Sequence, residues 1–435
     1  MIAGKTKLRT NASNADKPKA PTGWSTIPLR YVTQLNPSVP LGELNESDEL
    51  TFLPMDKIKS GYFLHNVATY SKYVPSYTVF AEGDILIAKV TPCFENGNIA
   101  VADKLVGGKG FGTSEVFVIR PTKVETKFLF YYLQSTGFKQ AGEASMTGAG
   151  GLKRISSELL RQHHLPLPTP ATQRIIADYL DRETARIDQL ISEKENMLTL
   201  LEEKRAAVIS RVVTRGLDHS APLKPAGQDW LAEIPSHWRE LRAKGLFREV
   251  DARTETGEET LLSLRMCKGL VPHNEVSEKL LEASDLSGFK KIEPGQMVIN
   301  RMRAASGLIA VATEPGLVSP DYAVFDILKN DISIDYFLEL FKTPLLQAVF
   351  RSSSKGLGTG EQGFLRLYSD AFLALHFPYP PSEEQRKIVR FIKEQNEESQ
   401  RLSSLLRHSI DLAKKRREAL ISAAVTEQIP LEEMQ

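Results

Sequence analysis

The sequence predicts an α+β protein written twice: two similar mixed domains separated by two long antiparallel coiled-coil helices, in a pseudo-twofold tandem repeat. Three observations predict it. An internal repeat persists along the chain at an offset of 212 residues. A stretch free of glycine and proline carries apolar residues in one heptad register, and its copy keeps that register. Each remaining segment alternates short strand patterns and turn residues before a helical pattern.

The repeat is clearest where "HLPLPTPATQRIIADYL" (164–180) aligns without gaps on "HFPYPPSEEQRKIVRFI" (376–392). Downstream the same offset carries Lys204-Arg205 onto Arg416-Arg417, and upstream it carries "GDILIAKV" (83–90) onto "GQMVINRM" (295–302). The predicted order is a disordered tail over residues 1–20, a first mixed domain over 21–166 and a first helix over 167–216. A linker over 217–232, a second mixed domain over 233–378 and a second helix over 379–430 complete it.

In each domain the strand patterns are "DILIAKV" and "EVFVIRP" in the first copy and "MVINRM" and "YAVFDIL" in the second. The helical patterns "KFLFYYLQSTGF" and "IDYFLELFKTP" follow them. The first long helix places Ile176, Leu180, Ile187, Leu190, Met197, Leu201 and Val208 on one seam, and the second places Ile388, Ile392, Leu402, Leu406 and Leu420 there. Pro168, Pro170, Pro380 and Pro381 mark sharp helix starts, and "DRET" at Asp181 is a candidate break. About 45 helical residues span roughly 65 to 70 Å, whereas the connection from Gly216 to Glu233 reaches at most about 55 to 60 Å. Pairing the two helices antiparallel avoids that strain.

Composition is ordinary for a globular chain of 435 residues: 41% hydrophobic, 25% charged, net charge +1. A strongly basic overall surface is therefore excluded, though local basic patches are not. The two cysteines form no C-x-x-C pair and the eight histidines no ligand spacing, so reduced thiols and no structural metal are expected. No apolar run spans a bilayer and the N-terminus is polar, which points to the cytoplasm. Phosphate-loop, nucleophile-elbow and zinc-helix motifs are absent from the sequence, and Pro320-Asp321 reads as a turn.

One nucleotide-like signal stands. "KGLGTGEQGF" (355–364) holds Gly358, Gly360 and Gly363 in the spacing G-x-G-x-x-G, but its flanks lack the incoming strand and outgoing helix that such a site needs. In the first copy Met146 replaces the leading glycine. Both copies share Thr-Gly-x-x-Gly followed by an arginine, Arg154 or Arg366. That is either a loop contacting phosphate or a turn with a solvated arginine. Between the matched strands the loops diverge, "TPCFENGNIA" against "RAASGLIA", as suits scaffolds reading two targets. The candidate DNA-binding residues are Lys89, Asn96, Asn98, Lys153, Arg154, Arg301, Arg303, Lys355 and Arg366, because arginine, asparagine and lysine suit base edges and phosphate.

The duplicated plan, the helix starts P-x-x-x-x-Q-R-I and P-x-x-E-Q-R-K-I, and the "GDILI" strand resemble the specificity subunit of type I restriction-modification systems. The likeness runs from Pro21 to about Gln428. It implies that the two mixed domains are target-recognition domains, each reading half of a bipartite, asymmetric DNA sequence, and that the paired helices set the gap. It also implies a subunit with no catalytic centre and no cofactor of its own. The implied partners are double-stranded DNA, two methyltransferase subunits using S-adenosylmethionine, and restriction subunits using ATP and Mg. The second copy departs from the pattern where "GQMVI" lacks the aspartate of "GDILI" and "NRMRAAS" lacks the longer loop. The other readings are a coiled-coil adaptor binding protein through both domains, and a cofactor enzyme using the glycine loop.

Overall fold

The computed structural model describes residues 23–40, 48–69, 77–148, 151–266, 268–277, 282–357 and 364–435. The tail expected to be disordered, Cys267, and the glycines Gly358, Gly360 and Gly363 lie outside the described residues. The chain divides into two compact units, residues up to Glu195 with Arg407–Gln435, and Asn196–Leu406.

In the first unit a four-stranded antiparallel sheet runs in the order Thr33–Leu35, Val116–Pro121, Ile85–Ala88, Ile99–Val101. In the second the order is Phe247–Val250, Tyr322–Ile327, Met297–Asn300, Ile309–Val311, which is the same plan at matching sequence positions. Their central strands are largely apolar because both faces are covered, and the two-residue period of a strand sends alternate side chains to opposite cores. Ile85 and Ile87 join the cluster containing Phe128 and Ile176, while Leu86 packs with Ala100 and Val118. Met297 and Ile299 join Phe325 and Phe337, while Val298 packs with Ala310 and Val324.

Beyond this sheet the copies part company. The first domain adds a four-stranded sheet in which Glu49–Leu53 pairs parallel with Lys109–Gly112. The second shows two separate strand pairs there, Leu262–Arg265 with Gly269–Pro272 and Lys290–Ile292 with Gly316–Val318. Residues 217–232, read as a linker, include the strand Leu223–Gln228, which pairs with Leu231–Pro235.

The turn into each central strand is the same in both copies. Gly83 and Gly295 adopt φ of +83° and +88°, a region open to glycine at no steric cost. The following side chain caps the turn: Asp84 Oδ2 accepts from the Ala81 amide and Gln296 Oε1 from the Glu293 amide, each at 2.8 Å. Glutamine thus keeps the turn but not the charge, and the neighbouring charges are rearranged to match. Buried Asp84 accepts from Arg120 Nε and Nη2 at 2.7 and 2.8 Å. In the second copy Asp326 stands where Arg120 does and accepts from Gln296 and from Arg248, each at 2.8 Å.

The long helices run Pro170–Arg215 and Ser382–Val425 without a break, and Asp181 inside the first accepts from the Tyr131 hydroxyl at 2.7 Å. Their starts are clasped to the domains by one glutamine each. Gln173 accepts from the Glu125 amide at 2.8 Å and donates to the Pro168 carbonyl at 2.9 Å. Gln385 accepts from Ser333 at 2.7 Å and donates to Pro380 at 2.9 Å.

Within the first unit Arg417 donates to Asp188 at 2.9 Å and Lys414 lies 3.8 Å from Glu195; within the second Arg205 donates to Asn396 at 2.7 Å. In the first unit positions rise on one helix as they fall on the other, so the pairing there is antiparallel. Ile176, Leu180, Ile187, Ile388 and Ile392 are buried, and Leu201, Val208, Leu406 and Leu420 are half-buried. Leu190, expected on the seam, is 44% exposed, and its neighbour Ile191 takes the place; Leu402, 38% exposed, still lines the space between the helices with Leu201 and Val208. The step after Ile187 is four residues rather than three, which also turns Met197 outward and Leu198 inward. The helix ends complete other cores, Ile421 and Val425 packing with Phe128, and Ile209 and Val213 with Phe337. Among the described residues no helix is long and apolar enough to cross a membrane.

Candidate nucleic-acid interface

The candidate residues gather where the central strand of each sheet ends. In the first copy Lys89 follows the strand; its amide donates to the Glu115 carbonyl at 3.0 Å and its carbonyl accepts from Ile155 at 2.8 Å. The segment after Gly151 is laid along this end. Val90 bridges Arg154, the Thr91 amide donates to the Lys153 carbonyl at 3.0 Å, and the Lys153 amide donates to Thr91 Oγ1 at 3.0 Å. Arg154 itself pairs with Thr147, which closes the loop at its base. The backbone therefore brings Lys89, Lys153 and Arg154 to one place from positions far apart in sequence.

One carboxylate lies among them. Arg154 Nε and Nη2 donate to Glu115 Oε2 and Oε1, each at 3.0 Å, and this pairing holds the Glu115 carboxyl below the usual carboxylate range, with Lys89 adding to the effect. Lys89 Nζ lies 5.5 Å from the centre of the Phe117 ring. Lys153 is exposed, and the Arg154 side chain is 45% exposed.

The second copy repeats the arrangement with different residues. Lys355–Leu357 pairs antiparallel with Phe364–Arg366, so the stretch holding the glycine fingerprint is flanked by two paired strands rather than by a strand and a helix. The Leu367 amide donates to the Arg301 carbonyl at 2.9 Å, as Ile155 does to Lys89. Arg366 Nη2 donates to Asp321 Oδ1 at 2.8 Å. Asp321 precedes its strand as Glu115 precedes the matched one, and it also sits in the turn closed by the Tyr322 amide and the Ser319 carbonyl.

The other candidates divide sharply. Arg301, a candidate for contact with DNA, is turned inward: Nη2 donates to Glu249 and Ser369 at 2.5 and 3.0 Å, and its side chain is 16% exposed. Its neighbour Lys290, buried, lies 3.3 Å from the exposed Asp251, so these charges are paired within the domain. Asn98 is half-buried and its backbone closes a turn with Cys93. Asn96, Arg303 and Lys355 are exposed. Arg366 is 20% exposed, lies 5.7 Å from the Tyr368 ring centre, and keeps a buried Nε without a partner among the described residues. Asp321 is read from sequence only as part of a turn and Glu115 carries no local signal, although each directly precedes a matched strand.

Residues 22–200 match the family model described as "Type I restriction modification DNA specificity domain". The chain is similar to the type I restriction enzyme EcoAI specificity subunit of Escherichia coli, 29% identical over 284 residues that cover 64% of this chain and 46% of that protein. It is also similar to the EcoEI specificity subunit of the same organism, 27% identical over 302 residues, 67% of this chain and 48% of that protein. The chain thus spans about half the length of these two relatives. A chain in the solved structure described as "Structural basis underlying complex assembly and conformational transition of the type I R-M system" matches 95% of this chain and 100% of its own length. Its TM-score is 0.65 at 18% identity, a likeness of fold.

Proposed function

We propose, from the match of residues 22–200 to the DNA specificity domain and from its relatives, that the chain is a specificity subunit of a type I restriction-modification system and reads a bipartite, asymmetric DNA sequence. Each mixed domain reads one half-site, and the paired helices set the gap between the halves. One observation carries the reading: two domains share a sheet order and a strand-end arginine–carboxylate pair while the loops around them differ. Such a build holds two different reading surfaces on one frame, and phosphate contacts from fixed positive groups orient both.

In the same proposal the chain itself performs no catalysis and works in the cytoplasm. It docks two methyltransferase subunits that use S-adenosylmethionine, and restriction subunits that use ATP and Mg. Exchanging residues 21–166 for the corresponding domain of a relative, followed by mapping of methylated sites in the host genome, tests it. One half-site is expected to change while the other stays; a change in both halves, or in neither, would overturn the reading.

A further inference from the structure

We propose that Glu115 is a positioning residue, which presents Arg154 to a phosphate of the DNA backbone; this rests on the DNA-binding reading above. The geometry separates the two halves of the guanidinium. A guanidinium has five N–H donors in a planar fork, and Glu115 takes one from Nε and one from Nη2. Three donors remain, two on Nη1 and one on Nη2, on a side chain that is 45% exposed. A carboxylate bound edge-on to the Nε side fixes the plane of the group and directs the free donors away from the protein. An anion with oxygens to accept them needs no further rotamer to be frozen.

The surroundings fit that anion. Lys89, whose field also lowers Glu115, and Lys153, whose amide is tied to Thr91, share the strand end with Arg154. Lys89 and Arg154 both act on the one carboxylate, which leaves this pair of cations with a net positive charge. The loop base is itself held by the Val90 and Thr147 bridges to Arg154, so the arginine is carried on fixed backbone. The second copy keeps an acid–arginine pair at the same place, Asp321 with Arg366, although an aspartate stands for the glutamate. A pair kept by two diverged copies of one chain answers to their shared frame rather than to either set of loops.

The proposal opposes simple electrostatics, which makes it testable. If Glu115 merely neutralised charge, removing it would bring the site closer to DNA phosphate and tighten binding. The experiment uses the full chain, purified, and a fluorescein-labelled duplex of mixed, non-target sequence, followed by anisotropy over a range of salt concentrations. Glu115→Ala and Arg154→Ala are each expected to weaken binding by about ten-fold, the scale of one hydrogen bond to a charged group. Each is expected to lower the salt slope by about one. Glu115→Gln, whose amide oxygen still accepts from Arg154, is expected to fall between the wild type and Glu115→Ala. The double variant is expected to bind no worse than Arg154→Ala alone, because the two residues act through one contact. Tighter binding by Glu115→Ala, or losses that add in the double variant, would overturn it. Arg154→Lys keeps the charge without the fork, and full binding by that variant would overturn it as well. Absence of DNA binding by the wild-type chain would instead strike the functional reading, not the role of Glu115.

Discussion

Arg154 and Glu115 are 39 positions apart, and two 3.0 Å hydrogen bonds join them at the end of the central strand. Arg366 and Asp321, 45 positions apart, meet at the same place in the second copy with one bond of 2.8 Å. The pairs share a position but not an exposure, since Arg154 is 45% exposed and Arg366 20%. Arg366→Ala is therefore expected to differ from Arg154→Ala. It should cost about 1 kcal/mol of stability through the lost ion pair and the lost contact with Tyr368, and lower the salt slope of non-target binding by less than Arg154→Ala does. Urea melts and anisotropy on the same two variants check both statements.

Replacing Gln173 or Gln385 by alanine removes both ends of a buried clasp. Each loss leaves an amide and a carbonyl without their partner, Glu125 with Pro168 or Ser333 with Pro380. A cost of about 2–3 kcal/mol is expected for each, read as a lower urea midpoint with unchanged slope. Gln173→Glu should be nearly as harmful, because a carboxylate cannot donate to Pro168.

The charge arrangements of the two copies are expected to be interchangeable only as sets. Asp84→Ala strands Arg120 beside a buried site and should cost about 3 kcal/mol. The triple variant Gln34→Arg, Asp84→Gln, Arg120→Asp installs the arrangement of Arg248, Gln296 and Asp326, and should recover most of that loss in thermal unfolding.

Within the second unit a cleft of about 110 Å³, partly open to solvent, lies between the helices, lined by Leu201, Val208, Ser399 and Leu402 with Lys204, Arg205, Gln395 and Glu398 at its rim. The residue matching Ser399 in the first helix is Ile187, which is buried. Ser399→Ile should fill the space and stabilise the chain by about 1 kcal/mol, seen as a higher Tm.

His163 supplies a pH dependence of definite sign. Burial, with a smaller contribution from His164, pushes its imidazole down to about 4, and Nε2 lies 2.8 Å from the Tyr132 hydroxyl. The folded chain holds the ring neutral while the unfolded chain protonates near 6.5, so stability is complete above about 6.5 and is lost as pH falls toward 4. The loss from this residue is at most about 3 kcal/mol. Comparing urea midpoints at several pH values for the wild type and His163→Gln isolates it: the variant should show a shallower fall.

Local rules carried much of this protein. The duplication follows from the 212-residue offset, and the largely apolar central strands and the two long helices with their apolar seam follow from spacings of two and of three to four residues, which the chain displays whatever it packs against. A single turn of helix already strains such rules, for whether Leu190 or Ile191 faces the seam depends on a step of three or four that only the partner helix selects. The site was legible as a set of residue types but not as an arrangement. Arg301 and Lys89 align and look equivalent, yet one is drawn inward by Glu249, 52 positions away, and the other lies against Phe117. Likewise nothing local marks Glu115 as the partner of Arg154, or shows that Asp326 replaces Arg120 because Gln296 replaced Asp84. A charged side chain takes its role from the nearest opposite charge or acceptor. In a folded chain that neighbour is chosen by strand order and loop closure, so its identity is a property of the tertiary structure.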